Sequence, residues 1–157
     1  ILNPSTDELF TAVRGGGLFL NGARVTFSPS HESDPVIMVG AGEFRSDRWS
    51  TLAETTRCRP MYSIAHALAM VASGRVQAAF TIEPEHEWDV AAGVLLIEES
   101  GGTISDGAGK PFVFNQPIPK FRGVISVAAT ADKDLRAKLH THAEQAWSQP
   151  ERKRAAP

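Results

Sequence analysis

The feature that most constrains the fold is an alternation, from residue 36 onward, of short apolar runs with segments of helical periodicity. Short apolar runs bounded by turn residues are typical of buried strands, and apolar residues recurring every three or four positions are typical of amphipathic helices. Strands that alternate with helices favour an α/β fold with a mixed or largely parallel sheet. The predicted strands are 36–39, 76–82, 103–105, 112–114 and 124–128, and the predicted helices are 47–55, 63–73, 88–100 and 132–147.

The start of the chain carries a different pattern, which predicts an antiparallel hairpin. Strand candidates at 9–13 and 18–20 flank a glycine triplet, and Asn21-Gly22 is a strong tight-turn signal before a third strand at 23–28. The triplet at 15–17 is followed by neither a helix pattern nor a Lys-Ser/Thr pair, which disfavours a phosphate-binding loop. We therefore predict an α/β fold, a mixed sheet with flanking helices, preceded by an antiparallel hairpin from another layer.

A polar stretch at 29–35 marks the boundary between these two patterns. The 157 residues are enough for one domain with a core or for two small lobes. We predict that 1–35 is the hairpin remnant of an N-terminal α+β lobe, that 36–147 is a C-terminal α/β lobe, and that 148–157 is a disordered tail. Because the chain starts on Ile1 with no initiator Met, we expect it to be part of a longer protein.

Charge and cysteine content argue against several classes of protein. The formal net charge of −2 argues against a general nucleic-acid or membrane surface, and basic residues cluster only in the terminal run 151–154. No apolar run approaches the roughly 18 residues that span a bilayer. The single cysteine, Cys58, forms no internal disulfide, and no Cys/His cluster has zinc spacing. These observations predict a cytoplasmic protein that binds neither nucleic acid nor membranes.

The stretch that points most directly to chemistry is 83–89, where three glutamates precede Asp89. Carboxylates this close repel one another unless water or a cation separates them. An apolar helix follows, so Asp89 is expected where solvent meets the core, at the first residues of that helix. The small residues 91–93 allow the first turn to approach another backbone closely, and Trp88 is interpreted as an anchor for the loop.

Two roles for Asp89 stay open on spacing alone. Aspartate at a helix start accepts backbone N–H bonds and meets the positive end of the helix dipole, and this capping role is the commoner one. Alternatively, Asp89 is one ligand of a Mg²⁺ site, since Mg²⁺ is typically held by one or two carboxylates together with a substrate phosphate. Phosphate-ester hydrolysis often uses two such ions.

Several motifs in a fixed order resemble the inositol monophosphatase family, which includes phosphatases of nucleotide bisphosphates. Residues 88–93, Trp-Asp-Val-Ala-Ala-Gly, resemble the C-terminal signature of this family. Residues 7–22 resemble its central hairpin, residues 63–75 its helix-to-strand segment, and residues 98–102 its usual Glu-Ala-Gly-Gly. The resemblance covers about residues 4–130.

The resemblance implies the family's layered α/β/α/β/α sandwich, of which this chain would be the C-terminal lobe. It also implies hydrolysis of a small phosphomonoester, such as an inositol monophosphate, by a metal-activated water. Two or three Mg²⁺ ions in the complete enzyme and inhibition by lithium are expected with that chemistry, and a homodimer is expected as the assembly.

The resemblance also assigns site residues. It makes Asp89 a metal ligand that lies near the substrate hydroxyl, a role that is compatible with capping. Tyr62, Ser63 and Ile64 match the start of a helix that lines the substrate pocket of the family. Glu83 is the nearest match to a carboxylate that contacts substrate hydroxyls, with a spacing to Asp89 that differs by one residue from the inositol enzymes. The loop that carries both carboxylates resembles the bacterial branch that includes adenosine bisphosphate phosphatases.

One departure limits what the chain is expected to do alone. The first metal-binding Glu of the family and its Asp-Pro-x-Asp-Gly-Thr motif are absent, since Asp34-Pro35 continues as Val36-Ile37. We therefore expect a phosphoric monoester hydrolase as part of a longer chain, with no complete catalytic set in these residues and no turnover in isolation. The alternatives are an adenosine 3',5'-bisphosphate nucleotidase of the same family, and a non-catalytic module that keeps the fold without the metal site.

Overall fold

The computed structural model describes residues 1–26, 36–45 and 56–148. The strands are β1 Leu2–Asn3, β2 Glu8–Val13, β3 Gly17–Leu20, β4 Ala23–Arg24, β5 Val36–Gly40, β6 Arg57–Met61, β7 Ala78–Thr81, β8 Glu85–His86, β9 Thr103–Ser105, β10 Lys120–Phe121 and β11 Val124–Val127. The helices are α1 Ala41–Phe44, α2 Ile64–Ala72, α3 Glu87–Glu99 and α4 Leu135–Ser148.

The central element is a five-stranded mixed sheet in the order β6-β5-β7-β11-β9. Strand β5 runs parallel to both β6 and β7, whereas β11 runs antiparallel to β7 and β9. Every residue of β7 and β11 is buried, as expected for strands that are covered on both faces. The predicted α/β fold, with a mixed sheet and flanking helices, is confirmed.

Two hydrophobic clusters lie on opposite faces of this sheet, because successive side chains of a strand alternate between faces. On one face, Val36, Ala79 and Val124 pack with the buried residues of α2 and α3. On the other face, Ile37 and Phe80 pack with the buried residues of α4.

The first 24 residues form a separate antiparallel sheet in the order β1-β2-β3-β4, which confirms the predicted hairpin. Phe10 and Leu18 on its inner face join the cluster that contains α2 and α3. Leu9 and Val13 on its outer face are exposed. The layers therefore follow the order β/α/β/α: the first sheet, α2 with α3, the mixed sheet, and α4.

Helices α2 and α3 make close contact through a glycine. A Cβ added at Gly93 would lie 2.7 Å from the Cβ of Leu68, which is closer than two packed side chains approach. Of the small residues 91–93 that were predicted to permit close approach, Gly93 does so, whereas Ala91 and Ala92 are exposed. The helix predicted over 63–73 is present as α2, which begins at Ile64; the Ser63 hydroxyl oxygen accepts the His66 N–H at 3.3 Å and caps it.

Some predicted elements differ from the structure. Residues 112–114 are not a strand, because Phe112 and Phe114 pack edge-on against Phe121 in an aromatic cluster and make no ladder. Strand β4 ends at Arg24, earlier than predicted. Helix α4 begins at Leu135, later than predicted.

Strand β6 and helix α1 are among the elements that were not predicted, as are the short strands β8 and β10. Strand β6 carries two arginines and Pro60, which hide its strand character in the sequence. It lies at the edge of the mixed sheet, where a proline is tolerated because one side of the strand needs no ladder partner. The short helix α1 follows β5 directly, where the sequence indicated only a glycine-rich end.

Part of the predicted organisation falls on residues that the structure does not describe. The predicted helix at 47–55, the polar stretch 29–35 and the tail after 148 lie outside the described residues. The division into lobes 1–35 and 36–147 stays a prediction. Within the described ranges, no helix combines the length and apolar character needed to cross a membrane.

One carboxylate joins the first sheet to the helical layer. Glu99, at the end of α3, accepts the N–H of Gly15 at 2.7 Å and the N–H of Gly17 at 2.8 Å. These two hydrogen bonds hold the pKa of Glu99 below its usual value. The glycine triplet therefore binds a carboxylate of its own chain.

Replacing Glu99 by alanine is expected to loosen the first sheet from α3. Amide hydrogen exchange at Gly15 and Gly17, followed by NMR, should accelerate, whereas Glu98→Ala, which removes only an exposed partner of Arg14, should leave it unchanged. Because the pKa of Glu99 is lowered from 4.5, its contribution to the free energy of unfolding is present above that pH and is lost as the pH falls. Unchanged exchange in Glu99→Ala would contradict this role.

Candidate functional site

A cleft opens where the parallel strands end. Strands β5, β6 and β7 run in the same direction, so their carboxyl ends lie side by side, which is where open α/β sheets bind ligands. The cleft has a volume of about 420 Å³ and is bounded by α1, the start of α2, the segment after β7 and the first turn of α3. Its lining residues are Gly40, Ala41, Gly42, Met61, Tyr62, Ser63, Ile64, Ala65, Thr81, Glu83, Glu85 and Asp89.

All five site residues predicted from the sequence line this one cleft: Tyr62, Ser63, Ile64, Glu83 and Asp89. The first three follow β6, Glu83 follows β7, and Asp89 lies in α3. The side chain of Tyr62 is 85% exposed at the rim. The fold therefore brings together residues that three separate stretches of the sequence supply.

Asp89 occupies a different helical position from the one predicted. Helix α3 begins at Glu87 with His86 as its N-cap, so Asp89 is the third helical residue and not the first. The Nδ1 of His86 lies 3.7 Å from Asp89 Oδ2. Within the part of the chain that the structure describes, the Asp89 side chain accepts no hydrogen bond from a backbone N–H, so no capping bond occupies it.

The carboxylates of the acidic loop separate into two groups. Glu87 turns away from the cleft and accepts the N–H groups of Asn115 at 2.7 Å and Gln116 at 3.0 Å. Glu83 and Glu85 line the cleft with Asp89. Burial raises the pKa of Glu85, and the negative charges of Asp89 and Glu83 raise it further. Negative charge is therefore concentrated on this wall of the cleft.

The sequence indicated that Trp88 anchors the loop in the core. In the structure it does not. Its side chain is 66% exposed, and its ring stacks on His86 with the ring centroids 4.5 Å apart. Trp88 therefore stiffens the loop locally, through its neighbour.

Another part of the cleft lining favours an anion. Ser63, Ile64 and Ala65 form the start of α2 and line the cleft. The N–H groups of a first helical turn have no partner within the helix, and the positive end of the helix dipole lies there. Such a terminus binds phosphate groups well.

A buried carboxylate beneath the cleft was missed from the sequence. Glu43, in α1, is only 3% exposed. Its Oε1 accepts the N–H of Ile82, the N–H of Glu83 at 3.2 Å and the hydroxyl of Thr81 at 3.3 Å. The sequence did carry a signal for Glu43: it follows a buried strand and a Gly-Ala-Gly run. Residues at the carboxyl ends of parallel strands meet at one edge of the sheet, so a carboxylate there is a candidate site residue.

The environment of Glu43 favours its neutral form. Burial raises the pKa of Glu43 to about 7, the N–H of Ile82 opposes this rise, and the charge of Glu83 adds to it. Glu43 is therefore the second glutamate at this edge of the sheet whose pKa is raised, after Glu85.

The cleft carries carboxylates of the kind that hold Mg²⁺ in proteins. Asp89 and its neighbours Glu83 and Glu85 supply the oxygen donors that Mg²⁺ prefers. Burial raises the pKa of Glu85, and the charges of Asp89 and Glu83 add to that rise. Across residues 1–26, 36–45 and 56–148, however, no group of three or more His, Cys, Asp or Glu side chains is arranged to hold a metal ion. The described residues fit a Mg²⁺ ion that is also held by other ligands.

Comparison with known proteins agrees with this geometry. The sequence model described as "Inositol monophosphatase family" matches residues 1–148. This chain belongs to the inositol monophosphatase family.

Individual members of the inositol monophosphatase family are similar over most of this chain. An inositol-1-monophosphatase of Rhizobium meliloti is 40% identical over 122 residues, which cover 71% of this chain and 46% of that protein. The Nus factor SuhB of Escherichia coli K12 is 37% identical over 118 residues, covering 69% and 44%. The chain thus spans less than half the length of these relatives.

Solved structures share the fold. The extragenic suppressor protein suhB of Bartonella henselae superposes with a TM-score of 0.70 at 31% identity, over 91% of this chain and 54% of that one. The β/α/β/α layers are therefore shared with about half of that inositol monophosphatase-family structure.

Glu43→Gln should flatten part of the pH dependence of stability. Because the pKa of Glu43 rises from 4.5 unfolded to about 7 folded, the folded state holds the extra proton between these values, and stability falls as the pH rises through them. Between pH 5 and 8 wild type should lose on the order of 2 kcal/mol more than Glu43→Gln. Urea unfolding at several pH values checks this, with Glu98→Gln as the exposed control; parallel curves for wild type and Glu43→Gln would contradict it.

Proposed function

We propose that this chain is the C-terminal part of a Mg²⁺-dependent phosphomonoesterase that acts on a small polar phosphate such as an inositol monophosphate. The observation that supports it best is the meeting of two opposite features in one cleft. Carboxylates and a helix N-terminus both line it. A phosphate held at the helix would face those carboxylates, and a divalent cation between them would balance both charges.

Each residue then has a role. Asp89 is a metal ligand, and the start of α2 at Ser63 and Ile64 holds the phosphate through its N–H groups. Glu83, which is exposed at the cleft, accepts hydrogen bonds from substrate hydroxyls. Bound Mg²⁺ supplies positive charge to the phosphate oxygens and acidity to water. Ligands contributed by the rest of the protein complete the site, so the 157-residue chain alone should not turn over.

A nucleotide bisphosphate is the second candidate substrate. Tyr62 presents an aromatic ring at the rim of the cleft, and its side chain is 85% exposed. Base stacking on such a ring contributes about 1–3 kcal/mol per base, whereas a polyol phosphate gains less from it. This observation favours an adenosine 3',5'-bisphosphate nucleotidase as the alternative within the same family.

Membership of the inositol monophosphatase family supports a further part of the proposal. We expect a cytoplasmic homodimer that is inhibited by lithium, with two or three Mg²⁺ ions in each complete site. A non-catalytic binding role is the rival proposal. We keep this rival because the name of one relative, Nus factor SuhB, does not describe an enzyme.

Replacing Asp89 by asparagine in the full-length protein tests the proposed function. Loss of a metal ligand should lower Mg²⁺-dependent release of phosphate on the order of a hundredfold or more. Glu87→Gln is the matched control, because Glu87 lies in the same helical turn but faces the 115–116 backbone, and it should stay close to wild type.

The assay should compare inositol monophosphate with adenosine 3',5'-bisphosphate, so that it ranks the two candidate substrates. Wild-type activity in Asp89→Asn would refute the ligand assignment. Absence of Mg²⁺-dependent hydrolysis with every phosphomonoester would favour the binding role.

A further inference from the structure

Glu43 joins two walls of the cleft from below. It comes from α1, directly after β5, and its Oε1 accepts hydrogen bonds from three consecutive residues at the end of β7, Thr81, Ile82 and Glu83. Strands β5 and β7 are parallel neighbours, so this carboxylate ties their carboxyl ends together. Glu83 itself lines the cleft.

The packing around Glu43 leaves its carboxylate little freedom. A Cβ added at Gly40 would lie 2.6 Å from Glu43 Oε2 and 3.1 Å from Thr81 Oγ1, so the carboxylate folds back against the end of β5. Thr81 Oγ1 in turn accepts the Glu83 N–H at 3.1 Å. The backbone of Glu83 is therefore held by two oxygen acceptors, Glu43 Oε1 and Thr81 Oγ1.

We infer that Glu43 is a positioning residue for Glu83, and that it sets selectivity for substrates that carry hydroxyl groups. Glu83 lies in a bend shortly after the end of β7. Its side chain points into the cleft only while the backbone of residues 82–83 keeps this conformation. Glu43 holds that backbone conformation through its hydrogen bonds and does not contact the substrate. The selectivity part of this inference rests on the proposed function, whereas the positioning part does not.

The inference is tested by comparing how Glu43→Met, in the full-length protein, hydrolyses a substrate with hydroxyl groups and one without. Methionine has a similar length but offers no strong acceptor to the N–H groups of Ile82 and Glu83. The KM for inositol monophosphate should rise about tenfold, with kcat little changed. Hydrolysis of p-nitrophenyl phosphate, which has no hydroxyl group for Glu83 to bind, should stay close to wild type.

Two further variants separate positioning from general damage. Glu43→Gln keeps an acceptor oxygen and should restore most of the affinity that Glu43→Met loses. Glu83→Gln should raise the same KM, and the double variant Glu43→Met/Glu83→Gln should be no worse than the poorer single one, because both act on one interaction. Additive effects, or equal losses with both substrates, would overturn the inference.

Amide hydrogen exchange distinguishes a failure of the positioning role of Glu43 from a failure of the proposed function. If no phosphomonoester is hydrolysed, the proposed function fails, and exchange at Ile82 and Glu83 then decides the positioning role. Faster exchange in Glu43→Met that Glu43→Gln reverses supports positioning; unchanged exchange overturns it. Should Glu43→Met not fold, Thr81→Val removes the hydroxyl from the same network, and the same changes are expected at a smaller size.

Discussion

The parallel pairing of β5 with β6 and β7 is the constraint on which the rest of the structure depends. Parallel strands end at the same edge, so the segments that follow them meet there. The glycine-rich turn before Glu43, the start of α2 at Ser63 and the loop of Glu83 are each the continuation of one of these strands. An antiparallel arrangement of the same strands would place them at opposite edges and leave no cleft.

The layers above this sheet hold the last part of the site in place. Asp89 reaches the cleft because α3 lies tightly against α2, with Gly93 facing Leu68. The other end of α3 is fixed to the first sheet through Glu99 and the glycine triplet. One helix thus carries a cleft carboxylate at its start and a structural carboxylate at its end, and the local backbone decides which role each has.

The sequence predicted the layers well because hydrophobic periodicity is a local property. It placed the buried strands, a helix beginning near Ser63 and five of the residues that line the cleft, the last of these through the family resemblance. It missed β6, whose arginines and proline are tolerated only because the strand lies at an edge. It also missed Glu43, since burial of a carboxylate depends on contacts with β7, 38 to 40 positions away. The exposure of Trp88 likewise follows from stacking that no spacing rule reveals.

The most direct test of the account is a crystal structure of the full-length protein with Mn²⁺ in place of Mg²⁺, and with inorganic phosphate, using anomalous scattering to locate the metal. We expect a metal ion within about 2.2 Å of an Asp89 carboxylate oxygen, with the phosphate between that ion and the first turn of α2. A metal site elsewhere, with Asp89 bonded only to protein N–H groups or water, would contradict it.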